Sequence, residues 1–198
     1  MRLLADKLAC VRGGRIIFEN VSFTVAAGET LAVVGRNGAG KSSLLRLVAG
    51  LVPRSAGRLV LEGGSDLGIG EHVHYCGHAD ALKPALTVLE NLAFWQSYLG
   101  DLWRDPLDAL EMLAIEHLAD MPASYLSAGQ KRRLALARLL VSRRPIWILD
   151  EPTAALDRSS QSVLAGLMQE HLNSGGLILA ATHGDLGFEP ARTLEMVV

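Results

Sequence analysis

The sequence predicts an α/β fold in which parallel strands are joined by crossover helices, and three observations support this prediction. Short apolar runs of strand length occur at Thr30–Val34, Ile146–Asp150 and Leu177–Thr182. Segments with Leu and Ala at three- and four-residue spacing, which is helical spacing, separate these runs. The first run passes directly into a glycine-rich loop. Strands that alternate with helices in this way are typical of a parallel sheet.

The N-terminal part of the chain reads as strands. Residues 1–30 alternate apolar and polar side chains, with turn signals at Gly13–Gly14 and Ala27–Gly28, so short strands are predicted there. The apolar runs Leu59–Leu61 and Val73–Tyr75 predict two further strands before the helical part begins.

A long helical pattern precedes the second apolar strand. From Thr87 to about Arg144 the spacing is helical, which predicts a helical subdomain at about residues 79–144 inserted in the α/β core. Ser159–Leu172 predicts a crossover helix that ends before Gly175–Gly176. We therefore expect residues 1–198 to form a single domain.

Composition excludes several classes of protein. The 198 residues are 49% hydrophobic and 20% charged, as in ordinary globular proteins, and the net charge of −2 gives no reason to expect nucleic acid as a partner. Two cysteines suit a reducing compartment. No apolar run approaches the roughly 18 residues of a membrane helix, and the N-terminus lacks the features of a secretion signal. We expect a cytoplasmic protein without direct membrane insertion.

The glycine-rich loop Gly35–Ser42 fits the pattern G-x-x-x-x-G-K-[ST] of phosphate-binding loops. It lies between the strand Thr30–Val34 and a helix predicted at Leu44–Ala49, so backbone N–H groups and the helix dipole converge on one anion site. Lys41 is placed to reach the β- and γ-phosphates of a nucleotide, and Ser42 to ligate Mg²⁺.

The strand Ile146–Asp150 delivers a carboxylate to the edge of the predicted sheet. Asp150 can there hold a Mg²⁺-bound water, and Glu151, which follows directly, can polarise an attacking water. A core strand that runs into a charged loop is the alternative, which the phosphate-binding loop upstream disfavours.

A third motif, Leu126–Gln130, is followed by a helical segment. Ser127 is a good N-cap, so the helix beginning there would present a second N-terminus to phosphate. A capped helix without a ligand is the alternative, and the motif in isolation favours that alternative.

Five motifs in this order resemble those of ABC-transporter ATPases: the Gly35–Ser42 loop, Leu126–Gln130, the Ile146–Glu151 strand, Ala155–Asp157 and Thr182–His183. The resemblance covers essentially the whole chain. It implies a P-loop NTPase core with an antiparallel β subdomain and an inserted helical subdomain. It also implies hydrolysis of ATP with Mg²⁺ by a head-to-tail homodimer that holds two ATP molecules at its interface.

The resemblance also assigns site residues. Each ATP would lie between the Lys41 loop of one subunit and Ser127 and Gly129 of its partner, while Asp157 would link the two sites. His183 would contact the γ-phosphate and orient Glu151. The nucleotide-binding residues would be Gly35, Arg36, Asn37, Gly38, Ala39, Gly40, Lys41, Ser42, Ser43, Arg12, Ser127, Gly129, Gln130 and Asp157. The catalytic residues would be Glu151, His183 and His78, and the Mg²⁺ residues Ser42 and Asp150.

A narrower resemblance rests on His74–Lys83, Leu86–Val88, Glu90–Trp95 and Ala128, which stands where most ABC ATPases carry glycine. These features are similar to the CcmA family, the haem exporter ATPases of the cytochrome c maturation system. That family implies integral membrane partner subunits and a peripheral location at the cytoplasmic face of the bacterial inner membrane. It also implies a role in making haem available to a periplasmic haem chaperone. Transport of another small molecule is the runner-up.

Two other classes compete with a transport ATPase. A soluble ABC ATPase acting on ribosomes or DNA usually carries paired ATPase domains or long insertions, which this compact chain lacks. A nucleotide-gated module that barely hydrolyses is disfavoured because Asp150, Glu151 and His183 are all present.

The chain departs from most ABC ATPases at two positions. His78 stands where most carry a glutamine that senses Mg²⁺ and the attacking water, and Arg12 stands where an adenine-stacking aromatic is expected. A guanidinium can also stack on a base. His72, His74, Cys76 and His78, at two-residue spacing, would share one face of a strand as a possible haem or metal site. Packing, with His78 serving the ATP site, is the favoured interpretation.

Overall fold

A computed structural model of the chain describes residues 1–64, 68–100 and 102–196. The chain divides into two compact units. The first comprises Met1–Gly77, Arg144–Pro152 and Met168–Val198, and the second comprises His78–Arg143 and Thr153–Leu167. The second unit thus holds the predicted helical subdomain and also a later segment that the sequence pattern did not assign to it.

The elements have the following bounds. The strands are β1 Arg2–Arg12, β2 Arg15–Ala26, β3 Thr30–Val34, β4 Ala56–Glu62, β5 Val73–Cys76, β6 Ile146–Asp150, β7 Leu177–Ala181 and β8 Arg192–Glu195. The α-helices are α1 Lys41–Val48, α2 Val88–Leu99, α3 Pro106–Met112, α4 Ala128–Val141 and α5 Arg158–Asn173, and short 3₁₀ turns cover Ile69–His72, Glu116–Leu118 and Ala123–Tyr125.

Three strands form an antiparallel sheet in the order β2-β1-β4. β1 and β2 are longer than the predicted short strands, with 11 and 12 residues. They are joined by Gly13 and Gly14, whose φ angles of 55° and 74° suit the two-residue turn of a tight hairpin.

Five strands form a parallel sheet in the order β5-β6-β7-β3-β8. The predictions of β3 and β6 are confirmed residue for residue, and β7 ends one residue early, at Ala181. β8 was missed because it is short and mostly exposed, which leaves no apolar run to detect. β6 and β7 are buried along their whole length and form much of the core.

Helix α1 begins at Lys41, three residues before the predicted start. Gly40, its N-cap residue, has φ 94°, a left-handed conformation that glycine adopts without steric cost. The early start matters for the site because Lys41 and Ser42 belong to the first turn of the helix.

The predicted helical stretch is confirmed as helical, and its described residues form three α-helices and two short 3₁₀ turns. α2 begins with a capping box in which Thr87 and Glu90 bond reciprocally, and α3 begins with Asp105 as N-cap and Pro106 in the first turn. Gly100, with φ 66°, ends α2. Within the described ranges, the chain contains no helix that combines the length and apolar character needed to cross a bilayer.

Candidate nucleotide site

Three neighbouring parallel strands end at one edge of the sheet, where they bring the predicted motifs together. β7 pairs with β6 on one side and with β3 on the other. The carboxyl ends of these strands therefore place the Gly35–Ser42 loop, Asp150–Glu151 and Thr182–His183 side by side. Ligands of open α/β sheets bind at this edge.

The loop needs glycine at its two ends. Gly35 has φ 138°, and a Cβ there would lie 2.5 Å from the carbonyl oxygen of Met196. Gly40 has φ 94°, and a Cβ there would lie 3.0 Å from Cγ2 of Ile17. The close approach at Gly35 and the left-handed φ at Gly40 both favour glycine, so the loop backbone keeps a conformation in which its N–H groups can face an anion.

Within the loop, Arg36, Asn37 and Gly38 are exposed, whereas Ala39 is buried and its N–H donates to Arg36 O at 3.1 Å. Ser43 is half-buried in α1. The exposed residues leave the loop backbone open on its outer side.

Lys41 is only 8% exposed, and its ammonium group lies among two carbonyl oxygens and a histidine ring nitrogen. Its Nζ donates to Gly35 O at 2.7 Å and to Arg36 O at 3.2 Å, and it lies 3.0 Å from His183 Nε2. The ammonium thus lies inside the loop, where a phosphate oxygen could replace any of these acceptors.

Ser42 and Asp150 lie together, as their predicted common role requires. Ser42 Oγ donates to Asp150 Oδ1 at 3.1 Å, and Asp150 is 2% exposed. A hydroxyl and a carboxylate supply the hard oxygen ligands that Mg²⁺ prefers. Beside phosphates, Mg²⁺ commonly binds through only one or two protein groups and keeps several waters. The residues present therefore fit Mg²⁺.

Glu151 has a strained backbone. Its φ is 50°, which is unusual for a side chain of its size, and it precedes a proline, which disfavours helical conformations there. Its N–H donates to Ala181 O at 2.9 Å and so anchors the turn to β7. Such strain, when the surroundings enforce it, is often found at functional sites.

His183 is fixed by its neighbours on both sides. Thr182 Oγ1 accepts from Gly184 N at 2.9 Å and donates to Gly184 O at 3.0 Å, which closes a turn around His183. His183 N donates to Glu151 Oε2 at 3.4 Å, and His183 Nε2 lies 3.7 Å from Glu151 Oε1. The histidine and the glutamate are therefore within reach of one water.

Asn37 also contacts His183, and no local sequence pattern predicts this contact. Asn37 Oδ1 lies 2.8 Å from His183 Nε2, the same nitrogen that Lys41 approaches. This ring nitrogen accepts a hydrogen bond from Lys41 in one tautomer or donates a hydrogen bond to Asn37 in the other, but not both at once.

A hydrogen bond joins α1 to β5, and like the contact between Asn37 and His183 it was not predicted. Arg46 Nε donates to the Tyr75 hydroxyl at 3.2 Å. Burial raises the pKa of Tyr75, an effect that the hydrogen bond from Arg46 partly offsets, and this same hydrogen bond raises the pKa of Arg46. Tyr75 therefore stays neutral as a hydrogen-bonding partner of α1.

The Leu126–Gln130 motif lies in the second unit and begins α4. Exposed Ser127 accepts from Gln130 N at 3.3 Å, and Gln130 Oε1 accepts from Ser127 N at 2.8 Å, which completes a capping box. A Cβ on Gly129 would lie 3.0 Å from Ala155 O, so this position favours glycine.

Asp157 begins α5 in the same unit. Its Oδ1 accepts from Ser160 N at 2.8 Å and from Ser159 Oγ at 2.9 Å. These bonds, the one from the Ser160 backbone first, lower the pKa of Asp157 to about 2. Asp157 is thus an ionised helix cap, which is compatible with the linking role that the resemblance implies.

The four residues of the possible haem or metal site do not share one strand. Of these four residues, only His74 and Cys76 lie in β5, where both are buried. His72 ends a 3₁₀ turn, and His78 lies exposed beyond the strand, in the second unit. In the described part of the chain, no group of three or more His, Cys, Asp or Glu residues could hold a metal ion. Arg12 is exposed at the end of β1.

Comparison with known proteins agrees with this geometry. A sequence profile of the ABC transporter family matches residues 18–154. The chain belongs to the ABC transporter family. It is 57% identical over 188 residues to a cytochrome c biogenesis ATP-binding export protein CcmA from Rhodopseudomonas palustris strain BisB5, with 94% of each chain covered. It is 53% identical over 190 residues to the protein of that name from Bradyrhizobium diazoefficiens, with 96% of this chain and 95% of the relative covered.

Solved structures share the fold. The ATP-binding cassette MJ0796, in a dimeric post-hydrolysis structure bound to ADP and Pi, superposes with a TM-score of 0.85 at 25% identity, covering 99% of this chain and 94% of that one. A putative ABC transporter ATP-binding protein from Pyrococcus furiosus superposes with a TM-score of 0.83 at 21% identity, covering 99% and 98%. The α/β P-loop fold with its antiparallel and helical parts is confirmed, and the chain is an ATP-binding transport ATPase.

Proposed function

We propose that the chain is the ATP-hydrolysing subunit of an ABC transporter complex for cytochrome c biogenesis, where it drives haem export or the release of a haem-loaded periplasmic chaperone. The observation that carries this proposal is the identity of 50% to 57% with proteins named for that process, over at least 94% of the chain. Because the alignments cover nearly the whole length of those relatives, this chain has a counterpart for almost every part of them.

The first unit supplies the groups that hydrolysis requires. The Gly35–Ser42 loop would hold the phosphates, and Ser42 and Asp150 would hold Mg²⁺, which neutralises charge as the γ-phosphoryl group leaves. Glu151 would orient and deprotonate the attacking water. His183, bonded through its N–H to Glu151, would contact the γ-phosphate and keep the glutamate in place.

Two subunits would share each ATP, and the separate phosphate-binding features support this. The first unit has the Lys41 loop, and the second has the N-terminus of α4, whose exposed Ser127 and small Gly129 leave the backbone N–H groups approachable. The solved relative MJ0796 is dimeric with ADP and Pi bound. A head-to-tail homodimer would place each α4 N-terminus on the partner's nucleotide.

Integral membrane subunits would be the partners, and the protein would lie peripherally on the cytoplasmic face of the inner membrane. An aromatic surface on the second unit supports this. On α2, Phe94, Trp95 and Tyr98 have ring centroids 5.5–6.0 Å apart, and Tyr98 is 72% exposed and Phe94 37% exposed. An exposed aromatic cluster of this kind suits a protein interface.

A gene replacement tests the assigned process. In Rhodopseudomonas palustris lacking its own CcmA gene, this chain should restore covalent attachment of haem to c-type cytochromes, detected by haem staining, whereas Glu151→Gln should not. Normal nucleotide hydrolysis without any restored c-type cytochrome would instead favour the alternative, an ABC transporter for another small molecule.

Fractionation tests the location. Expressed alone, the chain should remain in the supernatant, and with its membrane subunits it should sediment with membranes. Sedimentation that persists after every candidate membrane subunit is deleted would contradict the proposed partner.

A further inference from the structure

An ion pair joins the segment that follows His78 to helix α4. Arg132 Nη1 donates to Asp80 Oδ1 at 3.2 Å, and the two side chains are 5% and 25% exposed. Asp80 lies two residues beyond His78, and Arg132 lies five residues after Ser127, the N-cap of α4. All four residues belong to the second unit. The pair therefore fixes the chain next to His78 against a helix of the same unit.

The burial of Arg132 makes this pair more than a surface contact. Water screens exposed ion pairs, which therefore contribute little. Arg132 is almost completely buried, so removal of the carboxylate would leave a positive charge in a buried place, which is costly. Hydrogen bonds between two charged groups are also among the stronger ones in proteins. Asp80 is thus held at one place on α4.

The backbone after Asp80 is strained and then fastened by a buried asparagine. Ala81 has φ 54°, a left-handed conformation that alanine seldom adopts. Two residues later, Lys83 N donates to Asn91 Oδ1 at 2.7 Å, and Asn91 Nδ2 donates to Lys83 O at 3.0 Å. Asn91 is 1% exposed. Strain of this kind persists when the surroundings enforce it, and here the ion pair and Asn91 hold the two sides of Ala81.

The end of the same segment is bonded to a second place near α4. The N–H groups of Ala123 and Ser124 donate to the carbonyls of Leu86 and Pro84 at 2.9 and 3.0 Å. These bonds lie just before the Leu126–Gln130 motif, whereas the ion pair lies just after it. The segment that begins at His78 is therefore attached to the chain on both sides of this motif.

We infer that Asp80 and Arg132 are positioning residues for hydrolysis, which hold His78 in place from the helix that begins after Ser127. The inference rests on the proposed ATPase function and on the role proposed there for His78. A group that orients an attacking water must be held to within about 0.5 Å, and its supporting residues decide whether it is. Because the N-terminus of α4 is proposed to contact the partner's nucleotide, one helix would serve both ATP sites.

A double-mutant cycle of ATP hydrolysis, with the membrane subunits present, tests this inference. Asp80→Asn keeps the shape of the side chain and removes its charge, so it should lower kcat about three- to tenfold by displacing His78. The KM for ATP should stay within about twofold, since the phosphate-binding loop is unchanged. In the His78→Ala background, Asp80→Asn should cause no further loss, because residues that act through one another are not additive. Asp80→Glu, which keeps the charge, should retain most of the rate.

Asp120→Asn is the matched control, since Asp120 is an exposed aspartate of the same unit, and it should change neither kcat nor KM. Urea unfolding checks that each variant is folded, and Arg132→Lys repeats the cycle with a smaller change if Asp80→Asn does not fold. An unchanged rate in Asp80→Asn would overturn the inference. An equal loss with and without His78 would also overturn it, because the pair would then stabilise the fold without acting through His78. A wild-type complex that hydrolyses no ATP would count against the proposed ATPase function itself.

Discussion

Lys41 Nζ lies 3.0 Å from His183 Nε2, although 142 residues separate them in the sequence. The lysine that we propose binds phosphate and the histidine that we propose contacts the γ-phosphate therefore lie directly against each other. A phosphate bound to Lys41 would compete with His183 Nε2, which also lies 2.8 Å from Asn37 Oδ1. Occupation of the loop and the orientation of His183 are thus coupled through one nitrogen atom.

Lys41→Ala should weaken ATP binding about ten- to one-hundredfold, because hydrogen bonds from a charged group to phosphate are among the strongest that a protein makes. Equilibrium titration with ATP measures this. Lys7→Ala, which removes an exposed lysine of β1, is the control and should bind ATP as the wild type does. Equal affinities in the two variants would remove Lys41 from the phosphate site.

Glu151→Gln should keep ATP binding and lower hydrolysis roughly 10²–10⁴-fold, the scale of a lost general base. The amide has the shape of the carboxylate but does not accept the proton of the attacking water. Steady-state phosphate release measures the loss, and Glu62→Gln, an exposed change on β4, is the control. A Glu151→Gln rate near the wild-type rate would assign the base to another residue.

His78→Gln should retain most of the hydrolysis rate, and His78→Ala should lose about tenfold or more. A glutamine amide offers one acceptor and donors, as a neutral imidazole does, whereas alanine offers neither. The rates are measured with the membrane subunits present, and exposed His117→Ala serves as the control. Equal rates for the glutamine and alanine variants would show that His78 does not serve the ATP site.

Acid should destabilise the chain through His171, whose ring stacks on Trp147 with centroids 4.0 Å apart. Burial lowers the pKa of His171 to about 4, against hydrogen bonds from the imidazole to the Leu177 and Pro145 backbone that raise it. The unfolded chain takes up the proton near pH 6.5. Stability from the neutral ring is therefore complete above that pH and is lost as the pH falls towards 4, by about 3 kcal/mol in total.

Urea unfolding at pH 7.5 and pH 5.0 measures this effect. His171→Phe keeps the stack on Trp147 without a titrating group, so its free energy of unfolding should fall less between the two pH values than that of the wild type. His171→Gln provides a second non-titrating variant. If both variants lose as much stability as the wild type, the acid sensitivity lies elsewhere.

Local sequence patterns predicted most of the parallel sheet because β6 and β7 are fully buried and consist almost entirely of apolar residues. They also placed Lys41 and Ser42 beside a helix start and Asp150 and Glu151 at a strand end, and these residues do lie in the first turn of α1 and at the end of β6. β8 was missed because its four residues are mostly exposed. The contacts of His183 with Lys41 and Asn37 depend on strand order and register, which local patterns do not encode.

The most direct test of the account is subunit mixing, because it asks whether the two phosphate-binding features act across a dimer. Lys41→Ala disables one feature and Ser127→Arg disables the other. If each ATP lies between the Lys41 loop of one subunit and Ser127 of its partner, a mixed dimer has both lesions in one site and keeps the other site intact. Each variant alone should be inactive, and the mixture, after subunit exchange is verified, should regain ATP-dependent dimerisation or partial hydrolysis. A mixture that is as inactive as either variant alone, with exchange demonstrated, would contradict the shared site.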